Sequence, residues 1–113
     1  MLSKKHRLPL AVGFERIKKE GRIINGPLFG LLIATRNTGD ETRFGFIIST
    51  KIDKRSVVRH RIKRLLSEAV RLNLDKIKPG YDLVFLAKKS VVGKSFEEIK
   101  KEVENSLAKA NLL

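Results

Sequence analysis

The segment from Ser56 to Leu74 constrains the fold more than any other part of the sequence. Val58, Ile62, Leu65, Leu66 and Ala69 recur at i, i+4, i+7, i+8 and i+11, which lays one apolar stripe along a helix. A helix that is apolar on one side only must bury that side against another element. Placed at about 100° per residue, Arg59, Lys63, His60, Arg71 and Arg64 cover the opposite half. Arg61 lies at one flank, and Glu68 is the only acid on that face.

This second side breaks two local rules. A solvated face gains from opposite charges at i,i+4, whereas Arg59–Lys63 and His60–Arg64 stack like with like. Cations also crowd the first turns, where the helix dipole disfavours each by about 0.3–1 kcal/mol. Phosphates would account for both violations by supplying the missing negative charge. Guanidinium groups can grip a phosphate with two hydrogen bonds and stack on bases, which lysine cannot do. The basic face of the helix carries no Asn or Gln suited to reading base edges in a major groove, which tilts the reading from DNA toward RNA.

The remaining elements follow from periodicity and turn chemistry. A first helix is expected over residues 10–20, with Phe14 and Ile17 three apart and Gly21 as its stop. Residues 28–36 are apolar and β-rich, and Asn37-Thr38-Gly39-Asp40-Glu41 is turn chemistry for a hairpin. Residues 43–49 then alternate, with Phe44, Phe46 and Ile48 on one face, so these two strands are expected to pair antiparallel. Lys78-Pro79-Gly80 breaks the chain before a buried strand over 81–87. A last helix opens at Ser95 with Glu98 three residues on, a capping box, and carries the stripe Phe96, Ile99, Val103, Leu107 and Ala110. The expectation is a small mixed α/β (α+β) two-layer sandwich, with helices on a sheet and a βαβ crossover that makes one strand pair parallel. At 113 residues it is expected to form one domain, 1–113.

Charge narrows the class of partner. The chain holds 25 Lys and Arg against 12 Asp and Glu, a net +13. A polyanionic partner is the usual reason a small domain tolerates such self-repulsion. Residues 51–71 hold eight Lys and Arg against Asp53 and Glu68, nearly half of the whole excess, while the last helix from Glu97 on is slightly acidic. Cysteine is absent, which excludes disulfides, thiol catalysis and Cys-based zinc sites. No apolar run is long enough to span a bilayer, and none of signal-peptide length follows the N-terminal cations, so a cytoplasmic location with no membrane partner is expected.

The run from Lys51 to Ala69, centred on Arg59-His60-Arg61-Ile62-Lys63-Arg64, resembles the signature of the bacterial ribonuclease P protein component. That family has a Ser-Lys-Lys segment, a short loop and an Arg-Asn-Arg-x-Lys-Arg helix. The likeness extends to Arg7-Leu8 with Phe14, Ile17 and Gly21, to the strand at 44–49, and to 81–87 followed by Lys88-Lys89 and Phe96-Glu97-Glu98. His60 stands in place of the usual Asn, Lys18 stands where many relatives have a second aromatic, and the 52–56 loop is one residue longer, with Asp53 and Arg55 in it. The resemblance implies an auxiliary subunit of a ribonucleoprotein that removes the 5′ leader from precursor tRNA, with the catalytic metal site, Mg2+ included, in the RNA. It implies docking on the ribonuclease P RNA subunit through Arg55, Arg59, His60, Arg61, Lys63, Arg64 and Arg71. It also implies a leader cleft at Phe14, Lys18, Lys51, Lys88 and Lys89, and a left-handed βαβ crossover, against the usual handedness.

No catalytic constellation is visible. Asp40-Glu41 falls at the expected turn and Glu97-Glu98 in a helix's first turn, and neither pair converges with a His as general acid–base or two-metal chemistry would require. No cofactor and no protein partner is expected for the protein alone. An RNA-binding module of ribosomal-protein type is the alternative reading, and a DNA-binding protein a weaker one. His6 receives no role.

Overall fold

The computed structural model describes residues 2–36 and 39–113, and of Val12 the backbone only. Along the chain run α1 (Leu10–Glu20), β1 (Arg22–Asn25), β2 (Phe29–Thr35), β3 (Arg43–Ile47), α2 (Ser56–Arg71), β4 (Tyr81–Ala87) and α3 (Phe96–Lys109). Short 3₁₀ turns lie at Lys4–His6, Leu74–Lys76 and Lys89–Val91.

The four strands form one sheet in the order β1-β2-β4-β3. β2 and β4 pair antiparallel, Leu31 opposite Phe85, and β3 pairs with β4 in parallel, Phe46 opposite Phe85. The expected parallel pair is therefore present, but the expected hairpin is not: β4 lies between β2 and β3. Burial decides this. Leu83, Val84 and Phe85 are completely buried on both faces of the sheet, and only a central position hides a strand so fully. The β2–β3 connection accommodates the insertion, since two strand spacings amount to about 9.6 Å and seven residues reach roughly 23 Å. Asn37 and Thr38 of the expected turn lie outside the described residues. Flanking them, the amide of Arg36 donates to Gly80 and the amide of Gly80 to Asp40, both at 2.7 Å, so the connection is sewn to the loop that precedes β4.

Both faces of a sheet buried this way need cover, and the helices divide between them. On one face Leu31, Ile33, Phe44, Leu83 and Phe85 meet Ile62, Leu66, Ala69 and Val70 of α2 and Ile99, Val103 and Leu107 of α3. Phe85 is the hub, edge-on to Phe29 and stacked on Phe46 at centroid distances of 5.2 and 5.5 Å. On the other face Leu32, Ala34 and Val84 are covered by Ile17 of α1 and by Leu8, with Leu10, Phe14, Ile47 and Leu86 at the margin. The mixed α+β class is as expected; α1 adds partial cover on the second face of the α2/α3–sheet sandwich.

Local signals place the helix ends. Ser95 and Glu98 form the reciprocal capping box, Ser95 Oγ accepting from the Glu98 amide at 3.2 Å. α1 stops at Gly21 because there is no room for a side chain: a Cβ there would lie 2.5 Å from the Ile17 carbonyl oxygen and 2.7 Å from that of Ile33. The chain turns at once into β1, Arg22 pairing with Ile33. No helix among the described residues is long and apolar enough to cross a membrane.

Candidate nucleic-acid interface

α2 buries the stripe read from its sequence and turns its basic half to solvent. Ile62, Leu66, Ala69 and Val70 are buried, Val58 and Leu65 half-buried, and His60, Arg61, Lys63, Arg64 and Arg71 exposed. The seven positions named from the sequence for this surface separate into two kinds. Arg55 grips Asp53 with two hydrogen bonds of 3.0 and 2.8 Å. Arg71 is paired to Glu68 one turn back. Arg59 is half-buried and donates to the carbonyl oxygens of Asp53 and Lys54, each at 2.9 Å. These arginines hold the helix ends and the loop that enters it. Arg61 makes one long contact, 3.5 Å to the Lys94 carbonyl. His60, Lys63 and Arg64 have no side-chain hydrogen bond or ion pair among the described residues. With Arg61 they form an unneutralised ridge, and Arg61, Arg64, Leu65 and Glu68 line a groove along it. α3 contrasts with this, interleaving its charges as Lys94–Glu98 and Lys100–Glu104.

The loop is electrostatically set. The Arg55 guanidinium, and then the Arg55 amide, hold the Asp53 carboxyl down at about 2. An acid inside the most basic stretch of the chain is thus consumed by its neighbour. The signals for both pairings were in the sequence, as an Asp two residues before an Arg and a Glu three residues before one.

Of the second group of positions, Phe14 lies on the other face of the sheet. Phe14 is half-buried against the cluster of Leu8, Ile17, Leu32, Ala34 and Val84, which Ile47 and Leu86 also flank near the C-terminal ends of β3 and β4. Lys18, one turn along α1, holds its ammonium 5.8 Å from the Phe14 ring centroid, a cation–π contact. Lys51 follows Ile47 by four residues and Lys88 follows Leu86 by two, so the ends of β3 and β4 carry these lysines toward the same end of the sheet. Lys51 and Lys89 are exposed; Lys88 is half-buried and donates to the Gly26 carbonyl at 2.7 Å, tying the end of β4 to the β1–β2 turn. Among the described residues no hydrogen bond, ion pair or ring contact joins Lys51, Lys88 or Lys89 to the Phe14–Lys18 pair.

Two features had no counterpart in the sequence reading. Asp82, fully buried, receives a two-pronged grip from Arg43 at 2.8 and 2.9 Å, a further hydrogen bond from Arg16 of α1, and the Arg36 guanidinium at 3.8 Å. Asp82 in turn raises the Arg43 pKa, chiefly through the hydrogen bond. The four residues are scattered over 66 positions, and only the register Arg43 opposite Asp82 brings them together. The other is His6, whose buried ring pairs through Nδ1 with the Thr42 carbonyl at 2.9 Å. With the Leu8 amide donating to Phe44 at 2.9 Å, it pins the N-terminal segment along the outer edge of β3.

A family model described as ribonuclease P matches residues 2–111. The chain belongs to the ribonuclease P protein family. The ribonuclease P protein component of Clostridium kluyveri is 41% identical over 109 residues, covering 95% of this chain and 96% of that one. That of Clostridium novyi is 38% identical over 112 residues, 98% of each chain. The ribonuclease P protein structure from Thermotoga maritima superposes with a TM-score of 0.82 at 27% identity, covering 91% of this chain and 96% of its own. A Staphylococcus aureus ribonuclease P protein structure gives 0.87 at 24% identity, covering 96% and 98%, a likeness of fold. The resemblance drawn from the basic helix is thereby established over residues 2–111, and the ridge on α2 belongs to a member of the ribonuclease P protein family.

Proposed function

We propose that this chain is the protein subunit of a ribonuclease P ribonucleoprotein, which removes the 5′ leader from precursor tRNA. In this reading the ridge of His60, Arg61, Lys63 and Arg64 docks on the catalytic RNA subunit. Arg55, Arg59 and Arg71 shape the ends of that surface and add to its positive field. A leader site made of Phe14 and Lys18 with Lys51, Lys88 and Lys89 holds the single-stranded leader. An aromatic face is suited to stacking an unpaired base, and the lysines to the adjoining phosphates. His60, in the place of the family's usual Asn, meets the RNA as a neutral polar contact.

The observation that carries the proposal is the unneutralised ridge on a helix whose other arginines are all engaged within the protein, in a chain matched to the family from residue 2 to 111. The described residues gather no cluster of three or more His, Asp or Glu side chains. In this reading the Mg2+ expected of the holoenzyme is held by the RNA, and no step of its chemistry is assigned to this chain. The chain's own contribution is to bind, to orient the leader and to lower the repulsion between two polyanionic RNAs.

The test is addition of the protein to a ribonuclease P RNA and precursor tRNA at low magnesium. Cleavage at the leader junction is expected to rise with the protein and to be absent with RNA-free protein alone. No stimulation by the folded protein would refute the assignment.

A further inference from the structure

A third basic surface lies on the other flank of α1 from the proposed leader site. Arg16 is about 200° around the helix from both Phe14 and Lys18, and it points to Asp82 and the Thr35 carbonyl at the N-terminal end of β4. Beside it opens a depression of about 720 Å³ between the N-terminal segment and the β2–β3 connection. Its cations are Lys4, Lys5, Arg7, Arg36 and Arg43, against Asp40 and Glu41, which leaves an excess of three positive charges.

The excess is built into the core beneath. Arg16, Arg36 and Arg43 share the one buried carboxylate of Asp82, whose oxygens each already take two guanidinium contacts. A carboxylate has about four acceptor sites, so Asp82 has no further capacity; it cancels one of the three charges, while exposed Glu20 stands 3.7 Å from Arg16 and exposed Asp40 3.8 Å from Arg36. The arginines keep an open side, with side chains 37, 18 and 26% exposed. The rim is fixed as well: His6 points inward to Thr42, which turns its exposed neighbours Lys5 and Arg7 outward on a pinned segment. Leu8 and Pro9 supply an apolar wall. Fixed guanidinium groups, mobile ammonium groups at the rim and an apolar wall suit a phosphodiester backbone with its sugars better than a lone anion.

We propose that this depression is a further phosphate-binding site for an RNA strand, distinct from the proposed leader site and adjoining the α2 ridge, since Arg7 at its rim lines a neighbouring cavity together with Lys63. The inference rests on the reading of the chain as an RNA-binding subunit. Two regions far apart in sequence, residues 4–9 on one side and Arg36, Asp40, Glu41 and Arg43 on the other, then make one contact surface, with Asp82 as the post on which its arginines are mounted.

The experiment compares wild type, Lys4→Gln/Lys5→Gln and Lys63→Gln/Arg64→Gln in binding a ribonuclease P RNA across a salt series. Neither Lys4 nor Lys5 makes a side-chain contact among the described residues, so the first pair is expected to melt like wild type. Two lost phosphate contacts should weaken binding and flatten the log–log salt slope by roughly 1.4–1.8, at roughly 0.7–0.9 for each contact. The four-fold variant should show the sum of the two effects. Wild-type affinity and slope for Lys4→Gln/Lys5→Gln, with binding weakened by Lys63→Gln/Arg64→Gln, would overturn this site and leave the proposed function standing. Failure of the wild-type protein to bind the RNA would overturn both.

Discussion

Arg59 reaches back from the second turn of α2 to hold the carbonyl of Asp53 at 2.9 Å. It takes the Lys54 carbonyl at the same distance, so one guanidinium closes the loop onto the helix it introduces. In sequence it looks like one more cation of the basic face; in the fold it is a clamp.

Arg59→Ala and Arg64→Ala should therefore differ in kind. The first loses two charge-assisted hydrogen bonds at a half-buried site and is expected to cost about 1 kcal/mol of stability, read from a denaturant melt, together with RNA affinity. The second should leave the melt unchanged and flatten the log–log salt slope of RNA binding by roughly 0.7–0.9. Equal melts for both variants would remove the clamp from the account.

Asp82→Ala removes the shared buried partner of three guanidinium groups at the sheet–α1 junction, leaving Arg16 only Glu20 and the Thr35 carbonyl, and Arg36 only Asp40 and the Glu41 carbonyl. Breaking a buried ion pair from one side typically costs ~3–5 kcal/mol, and the arginines' partial access to water brings the expected loss here to about 2–4 kcal/mol. Asp82→Asn retains one acceptor oxygen and should fall between wild type and Asp82→Ala. A loss below about 0.5 kcal/mol, the range of an ordinary surface change, would show that the cluster holds nothing together.

The Asp53 carboxyl should titrate near its depressed value of about 2. A carboxyl lowered on folding adds stability above its unfolded pKa, near 3.8, and that addition disappears as pH falls through about 2. Carboxyl NMR shifts followed from pH 5 downward give the midpoint directly. Arg55→Gln should return it to the ordinary carboxylate range, since the Arg55 side chain is the first cause of the shift. A wild-type midpoint near 4 would contradict the grip seen between the two residues.

Phe14→Leu separates packing from stacking. Leu keeps most of the volume against the cluster around Ile17 and Val84, so stability should hold within about 1.5 kcal/mol. Loss of a stacking face should lower precursor tRNA affinity relative to mature tRNA by on the order of 1–3 kcal/mol, measured with the reconstituted ribonucleoprotein. A sharply lowered melting temperature with an unchanged precursor-to-mature ratio would make Phe14 a core residue.

What could be read in the sequence was whatever local rules decide. The stripe of α2, the capping box at Ser95 and the stop at Gly21 each depend on residues within a few positions of one another. β1 escaped because Arg22-Ile23-Ile24-Asn25 is short and largely exposed, with neither clear alternation nor an apolar run. The hairpin reading failed because the neighbour of β2 is chosen by competition with β4, some fifty residues away, and turn chemistry at Gly39-Asp40 carries no information about that rival. The basic face was legible as a total; its division into clamps and an open ridge was not, since that depends on where each guanidinium ends up.

The central place of β4 bears on how the chain acquires its shape during synthesis. β2 and β3 both lean on a strand that emerges only at residues 81–87, so a nascent chain shorter than this has two sheet edges and no strand to join them. Until then Phe29, Leu31 and Ile33 have no finished layer to enter, and β2 is an apolar edge open to other chains. Products cut short before Tyr81 should accordingly aggregate rather than persist as partly folded RNA binders. Ordered structure should arrive late and in one step, when the last strand slides between two that are already waiting.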